Sequence, residues 1–174
     1  MNASAYPVEF AAEPLQREAY RPYGDVVAAD PRLASVSANR GTARRFDRLG
    51  ELENLRPGRA IPNLCVFRAE PSAANPFPVR MLERHRDSTQ LFIPMAGAER
   101  YLVIVCEGPD APDLRTLKAF VAGPAQGMTY RPGIWHHPLI ALDRQSDFAC
   151  VVYEDGSAGD GEERAISPAV SVRY

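Results

Sequence analysis

Proline and glycine interrupt this 174-residue chain so often, 16 and 12 times respectively, that long uninterrupted helices do not fit between them. A helical bundle is thereby excluded, and short strands joined by tight turns remain. Several runs have the right length and are rich in β-branched or aromatic residues: 63–69 (NLCVFRA), 78–84 (PVRMLER), 89–95 (TQLFIPM), 100–106 (RYLVIVC) and 147–153 (DFACVVY). Residues 127–131 and 138–142 add further candidates. The tract Leu102–Cys106 is apolar at every position, as in a strand covered on both faces. About eight to ten short strands with hardly any helix predict an all-β antiparallel sandwich or closed barrel.

Helix is confined to short pieces. Residues 13–20 (EPLQREAY) read as a short helix stopped by Pro22 and Gly24, and residues 112–120 open with Pro and Asp as a helical turn would. Residues 30–62 are polar and Arg-rich, and read as connecting loops with one short strand near Ala43–Phe46. From Gly156 the chain reads as a surface loop followed by an edge or docking strand at VSVRY. No repeat or low-complexity stretch divides it. One domain over residues 1–174 is expected, with residues 1–62 wrapping or extending the barrel.

Composition narrows the function classes. Twenty Lys and Arg against 22 Asp and Glu leave a formal charge of -2, which argues against nonspecific binding to nucleic acid or anionic membranes. Hydrophobic residues at 45% suffice for a real core. The cysteines (Cys65, Cys106 and Cys150) each sit in an apolar run with no Cys-x-x-Cys pair, so they read as buried free thiols. The N-terminus lacks a basic region followed by an apolar run, and no apolar stretch could span a bilayer; a cytoplasmic protein is expected.

Histidine is scarce, and the three that exist lie in two patches. In the first, Glu83 and His85 are two residues apart and share one face of a strand; a turn through Arg86–Thr89 would return Gln90 beside them. In the second, Pro132-Gly133 is a turn signal that aims Trp135-His136-His137 back toward the barrel. Glu83-x-His85-x4-Gln90-x6-Gly97 and Gly127-x4-Pro132-Gly133-x2-His136 resemble the paired motifs of the cupin superfamily. Metal-binding cupins carry three histidines and a glutamate there, whereas this chain has Glu83 for a His and Gln90 for the Glu. An amide oxygen is a weak ligand. The set His85, Gln90, His136 and Glu83 could hold a divalent metal ion or work as a metal-free acid–base pocket; no cofactor is firmly expected.

More of the text resembles one family. Tyr23-Gly24-Asp25-Val26, Asn39-x-Gly41-Thr42-Ala43 with Arg44-Arg45-Phe46, Phe67-Arg68-Ala69, Leu82-Glu83-Arg84-His85, Thr89-Gln90 with Phe92-x-Pro94-Met95, and Trp135-His136-His137-Pro138-Leu139 are similar to the ureidoglycolate lyase family. The resemblance implies a homodimeric, cytoplasmic cupin-type barrel or jelly-roll. Its implied activity is the cleavage of (S)-ureidoglycolate to glyoxylate and urea, in allantoin and purine catabolism. Two departures stand out: Arg40 in place of a small polar amide, and Tyr153-Glu154-Asp155 where the family commonly has Asp-Arg.

Such an elimination needs an anion anchor, a base for the hydroxyl proton and a donor to the departing urea nitrogen. His85 and His136 are the expected proton-transfer groups, with Glu83 tuning one of them or exchanging a proton itself. Gln90 offers both a carbonyl and an NH2 to the ureido group. Arg68, or one of Arg44 and Arg45, offers the fork that matches a carboxylate; Asn39 and Tyr130 complete the expected substrate-binding set. His137 would point away from His136. The rival readings are a metal-dependent cupin acting on another small hydroxy or ureido acid, and a non-catalytic cupin binding a small carboxylate. An amidohydrolase would release ammonia instead of urea.

Overall fold

Pairing between distant segments, more than local propensity, decides which parts of this chain become strands. The computed structural model describes residues 8–174. Its N-terminal third contains β1 (Glu9–Ala11), β2 (Glu13–Pro14), a one-turn helix α1 (Arg17–Tyr20), β3 (Val26–Val27), β4 (Val36–Ala38) and β5 (Ala43–Arg45). The longer strands follow: β6 (Ile61–Ala69), β7 (Phe77–Arg84), β8 (Gln90–Ala96) and β9 (Tyr101–Cys106). After a 3-10 turn at Leu114–Thr116 come β10 (Lys118–Ala122), β11 (Gly127–Tyr130), β12 (Trp135–His136), β13 (Ile140–Ala141), β14 (Ser146–Glu154) and β15 (Glu162–Arg173).

These strands build two sheets and a separate hairpin. The larger sheet runs β1-β15-β7-β12-β9-β10-β2 with β13 also on β9, the smaller runs β3-β11-β8-β14-β6, and β4 pairs only with β5. The all-β arrangement expected from the strand count is the one formed. Strand β9 shows why: its six residues are all buried, with Tyr101, Val103 and Val105 in a core between the sheets and Leu102, Ile104 and Cys106 in a second cluster with Val79, Leu82 and Trp135. Alternate side chains of a strand face opposite ways, so a continuously apolar run fills two cores at once. Each fully buried Leu, Ile or Val contributes roughly 1.5–3 kcal/mol.

Two local expectations are revised. The helix expected at 13–20 shrinks to α1, because Glu13 and Pro14 are drawn into a parallel pairing with Phe120 and Val121 on β10. The tail is a twelve-residue strand, longer than its apolar end predicts, since β7 supplies partners for the polar stretch Glu162–Ala165. The N-terminal segment adds β1, β2 and β3 to the edges of β15, β10 and β11. Residues 1–7, which carry most of the expected absence of a leader, lie outside the described residues. No helix among the described residues is long and apolar enough to cross a membrane. Cys106 and Cys150 are buried free thiols and Cys65 is half-buried, directly across from Cys150 on the paired strand.

Candidate active site

Strand β12 is only two residues long, yet it places His136 between two longer strands. It lies between β7 and β9, and its register sets His136 opposite both Glu83 and Val105. Val105 faces the core between the sheets, so Glu83 and His136 face it too, and His85 follows two residues on. Trp135 and Arg84 point the other way: the Arg84 guanidinium lies 4.2 Å above the indole ring and reaches Glu162 and the Pro109 carbonyl. The turn before β12 is fixed by Gly133, whose left-handed φ of 80° suits glycine and whose N–H donates to the His85 carbonyl at 2.8 Å. That bond ties the two histidine-bearing patches together.

Three ligand-type atoms of Glu83, His85 and His136 lie within 4.8 Å of one another. His85 and His136 stack at 5.8 Å between ring centroids, and Tyr130 from the opposite sheet stacks on His136 at 3.9 Å. Tyr130 is paired with Gln90, and Gln90 with Val152, so the amide of Gln90 shares this interior. Gln90 is buried, and its carbonyl oxygen has no hydrogen-bond partner among the described residues.

Backbone carbonyls fix the tautomers. His85 Nδ1 lies 2.7 Å from the Asp160 carbonyl and His136 Nδ1 lies 3.0 Å from that of Ile134. A carbonyl only accepts, so each Nδ1 carries the hydrogen and each neutral ring keeps a bare Nε2. His136 Nε2 is buried, 3.5 Å from a Glu83 oxygen, with no hydrogen-bond partner. Burial lowers the His85 pKa below the ordinary histidine value, and the neighbouring His136 lowers it further. Burial alone would raise the Glu83 carboxyl, but the surrounding imidazoles, His136 first, hold it below its ordinary value. At neutral pH the pocket therefore offers an unprotonated His85 beside an ionised Glu83.

A loop that sequence reasoning missed holds His85 in place. Arg56 reaches Asp160 at 2.6 Å, Asp155 at 3.1 Å and Asp87 at 3.7 Å, and the Asp160 carboxylate also accepts the backbone N–H groups of Asp155 and Gly156. Nothing local in the sequence announces that Arg56 belongs near His85; the pairing spans more than a hundred residues.

Other expected residues are placed elsewhere. Arg68 projects from β6, largely exposed, with its fork on Asp147 at 2.8 Å through both Nε and Nη2. Arg44 donates to Ser35 and Arg45 pairs with Asp47, both on or next to the β4–β5 hairpin, outside the two main sheets. Asn39 and Arg40 sit at the tip of that hairpin with left-handed φ values of 50° and 58°. The structure brings together Glu83, His85, Gln90, Tyr130 and His136; it does not bring Arg68, Arg44, Arg45 or Asn39 to them. His137 turns away from His136, its ring edge-on to Phe77.

The family model described as Ureidoglycolate lyase matches residues 8–173. The chain belongs to the ureidoglycolate lyase family. It is accordingly an enzyme, a lyase that cleaves ureidoglycolate, and family membership favours neither a different substrate nor a non-catalytic role. A ureidoglycolate lyase of Pseudomonas syringae pv. tomato is 39% identical over 87% of this chain and 86% of its own. One from Salmonella typhimurium is 41% identical, over 79% of this chain and 83% of its own. Among solved structures, a dTDP sugar isomerase from Desulfovibrio desulfuricans overlays with a TM-score of 0.47 at 13% identity, covering 84% of this chain and 88% of that one.

For a ureidoglycolate lyase the donor set also fits a metal ion. Two imidazole nitrogens and a carboxylate converge, and one of those nitrogens is buried without a partner. This is a ligand group suited to a borderline divalent cation with positions left open for substrate.

Proposed function

We propose that this chain splits (S)-ureidoglycolate into glyoxylate and urea through Glu83, His85 and His136. His85 Nε2 takes the hydroxyl proton of the substrate. The O–H electrons form the aldehyde carbonyl of glyoxylate, the C–N bond breaks, and its electron pair leaves with the urea nitrogen. That nitrogen receives the proton that His85 took, with the ionised Glu83 balancing the charge on the imidazolium in between. The bare Nε2 of His136 accepts a hydrogen bond from the substrate. Glu83 thus acts by charge, since its lowered pKa leaves it without a proton to give near neutrality. Gln90 reads the ureido group, and Tyr130 fixes the plane of His136 by stacking on it.

The observation that carries this reading is the convergence of two imidazoles with bare Nε2 atoms on one carboxylate. When a divalent ion binds, the same three residues would be its ligands, and the ion would supply Lewis-acid polarisation of the substrate hydroxyl. The buried unpartnered Nε2 of His136 favours this second reading. The family resemblance further implies a homodimer acting in the cytoplasm in purine catabolism. Strand β6, paired on one edge only, supports self-association by exposing Ile61, Leu64, Val66 and Phe67.

Incubation with racemic ureidoglycolate, corrected for spontaneous breakdown, should release urea and leave one enantiomer behind. Ammonia in place of urea would replace the elimination with amide hydrolysis. Chelation followed by metal analysis separates the two readings: retained turnover favours proton transfer by the histidines, whereas loss restored by one divalent ion favours the metal.

A further inference from the structure

None of the arginines nominated by sequence lies at the triad, so the carboxylate of the substrate needs another cation. Where β6 begins and β14 ends, a cavity of about 380 Å³ is lined by Arg59, Pro62, Asn63, Glu154, Asp155 and Gly156 among others. Two connections join it to the triad. Val152 lies across from Gln90, and Glu154, two residues further along the same strand face, is near enough for its charge to act on His85. The loop that supplies Asp155 and Gly156 to the cavity also supplies the Asp160 carbonyl that holds His85 Nδ1.

Arg59 is the cation of this cavity. Its side chain is 71% exposed, and its Nε lies 2.6 Å from Asp155 Oδ2, an oxygen that Arg56 also approaches at 3.1 Å. The terminal nitrogens of Arg59 donate to no group among the described residues. Glu154 accepts a bond from the Asn63 side chain at 2.8 Å through one oxygen, leaving the other for a donor. A guanidinium with free terminal nitrogens and a carboxylate with a free oxygen therefore line the same cavity. The first matches a substrate carboxylate, the second the N–H groups of a ureide.

We propose that Arg59 anchors the substrate carboxylate and that Glu154 receives the ureido N–H groups, so that this cavity is the recognition subsite of the reaction at His85 and His136. This rests on the function proposed above. The test uses the full chain and its Arg59→Ala and Arg59→Lys variants, with ureidoglycolate, N-(hydroxymethyl)urea, which lacks the carboxylate, and glyoxylate as a binding probe read by calorimetry. Loss of a charge-assisted fork should raise KM for ureidoglycolate about 10- to 100-fold with kcat nearly kept, and weaken glyoxylate binding by a similar factor. Arg59→Lys should fall between, and turnover of N-(hydroxymethyl)urea should be equal in parent and variants. Unchanged KM and glyoxylate affinity would overturn the assignment, as would equal losses on both substrates. Should the parent release no urea, the proposed reaction fails, and the glyoxylate affinities of parent and variants still decide the subsite.

Discussion

The interior around His136 and the arginine-rich hairpin at Val36–Arg45 carry equally suggestive residues, but they are held in different ways. Glu83, Gln90, Tyr130 and His136 project from strands paired on both sides, His85 follows directly after β7, and the rings of His85, His136 and Tyr130 stack on one another. Arg44 and Arg45 stand on a two-stranded hairpin and satisfy themselves on Ser35 and Asp47. Buried polar groups are constrained by what surrounds them, whereas exposed guanidiniums take the nearest carboxylate. The candidate site lies in the first setting.

The largest effect that could break this contrast is loss of the histidines. His85→Ala and His136→Ala should each cut kcat by about 10²- to 10⁴-fold, measured as urea release, with the circular dichroism of the fold retained. Parent-like turnover in either variant would remove that imidazole from the reaction.

Acidification probes the same interior without mutation. Burial holds His85 and His137 below the ordinary histidine value of 6.5, so below that pH the unfolded chain binds protons that the folded protein refuses. Stability should therefore decline as pH falls below about 6.5, and Glu83, held below its ordinary 4.5, adds a further loss at lower pH. Activity should fall over the acid range too, as His85 becomes protonated and ceases to be a base. A melting temperature that rises on acidification from pH 7 to pH 5 would contradict the buried neutral state of these rings.

A smaller effect should come from Arg56, which touches no reacting atom. It positions His85 through Asp160, and Arg56→Ala should lower kcat about 10- to 100-fold through misplacement of the ring. The acid limb of the pH profile should move with it, and Arg56→Lys should restore part of the rate. A loss of stability with kcat and pH profile unchanged would reduce Arg56 to a structural role.

Period-two spacing made much of this legible in the sequence. Glu83 and His85 share a face by arithmetic, and the Pro132-Gly133 turn before His136 is visible in the letters themselves. The strands at 100–106 and 147–153 are similarly plain, because apolar runs of that length have few other uses. Arg56 and Arg59 were not legible: their meaning depends on Asp155 and Asp160, about a hundred residues away, and charge pairing across such a separation leaves no local pattern. The polar start of β15 was hidden for a related reason, since Glu162–Ala165 are a strand only because β7 lies beside them.

Arg68 offers the smallest expected effect and the sharpest separation of the two settings. As sequence, it is the natural carboxylate anchor, and Arg68→Lys would then raise KM through loss of the fork. As placed, both arms of that fork are committed to Asp147, the side chain is largely exposed, and Asp147 is its direct cross-strand partner on β14. An exposed pair of this kind contributes little, and its removal alters neither the interior row nor the cavity at Arg59. Arg68→Ala should therefore leave KM and kcat for ureidoglycolate within about twofold of the parent, with the melting temperature nearly unchanged. A tenfold rise in KM would return the anchor to β6 and require the substrate to approach from the outer face of the smaller sheet, where the interior imidazoles could not reach it.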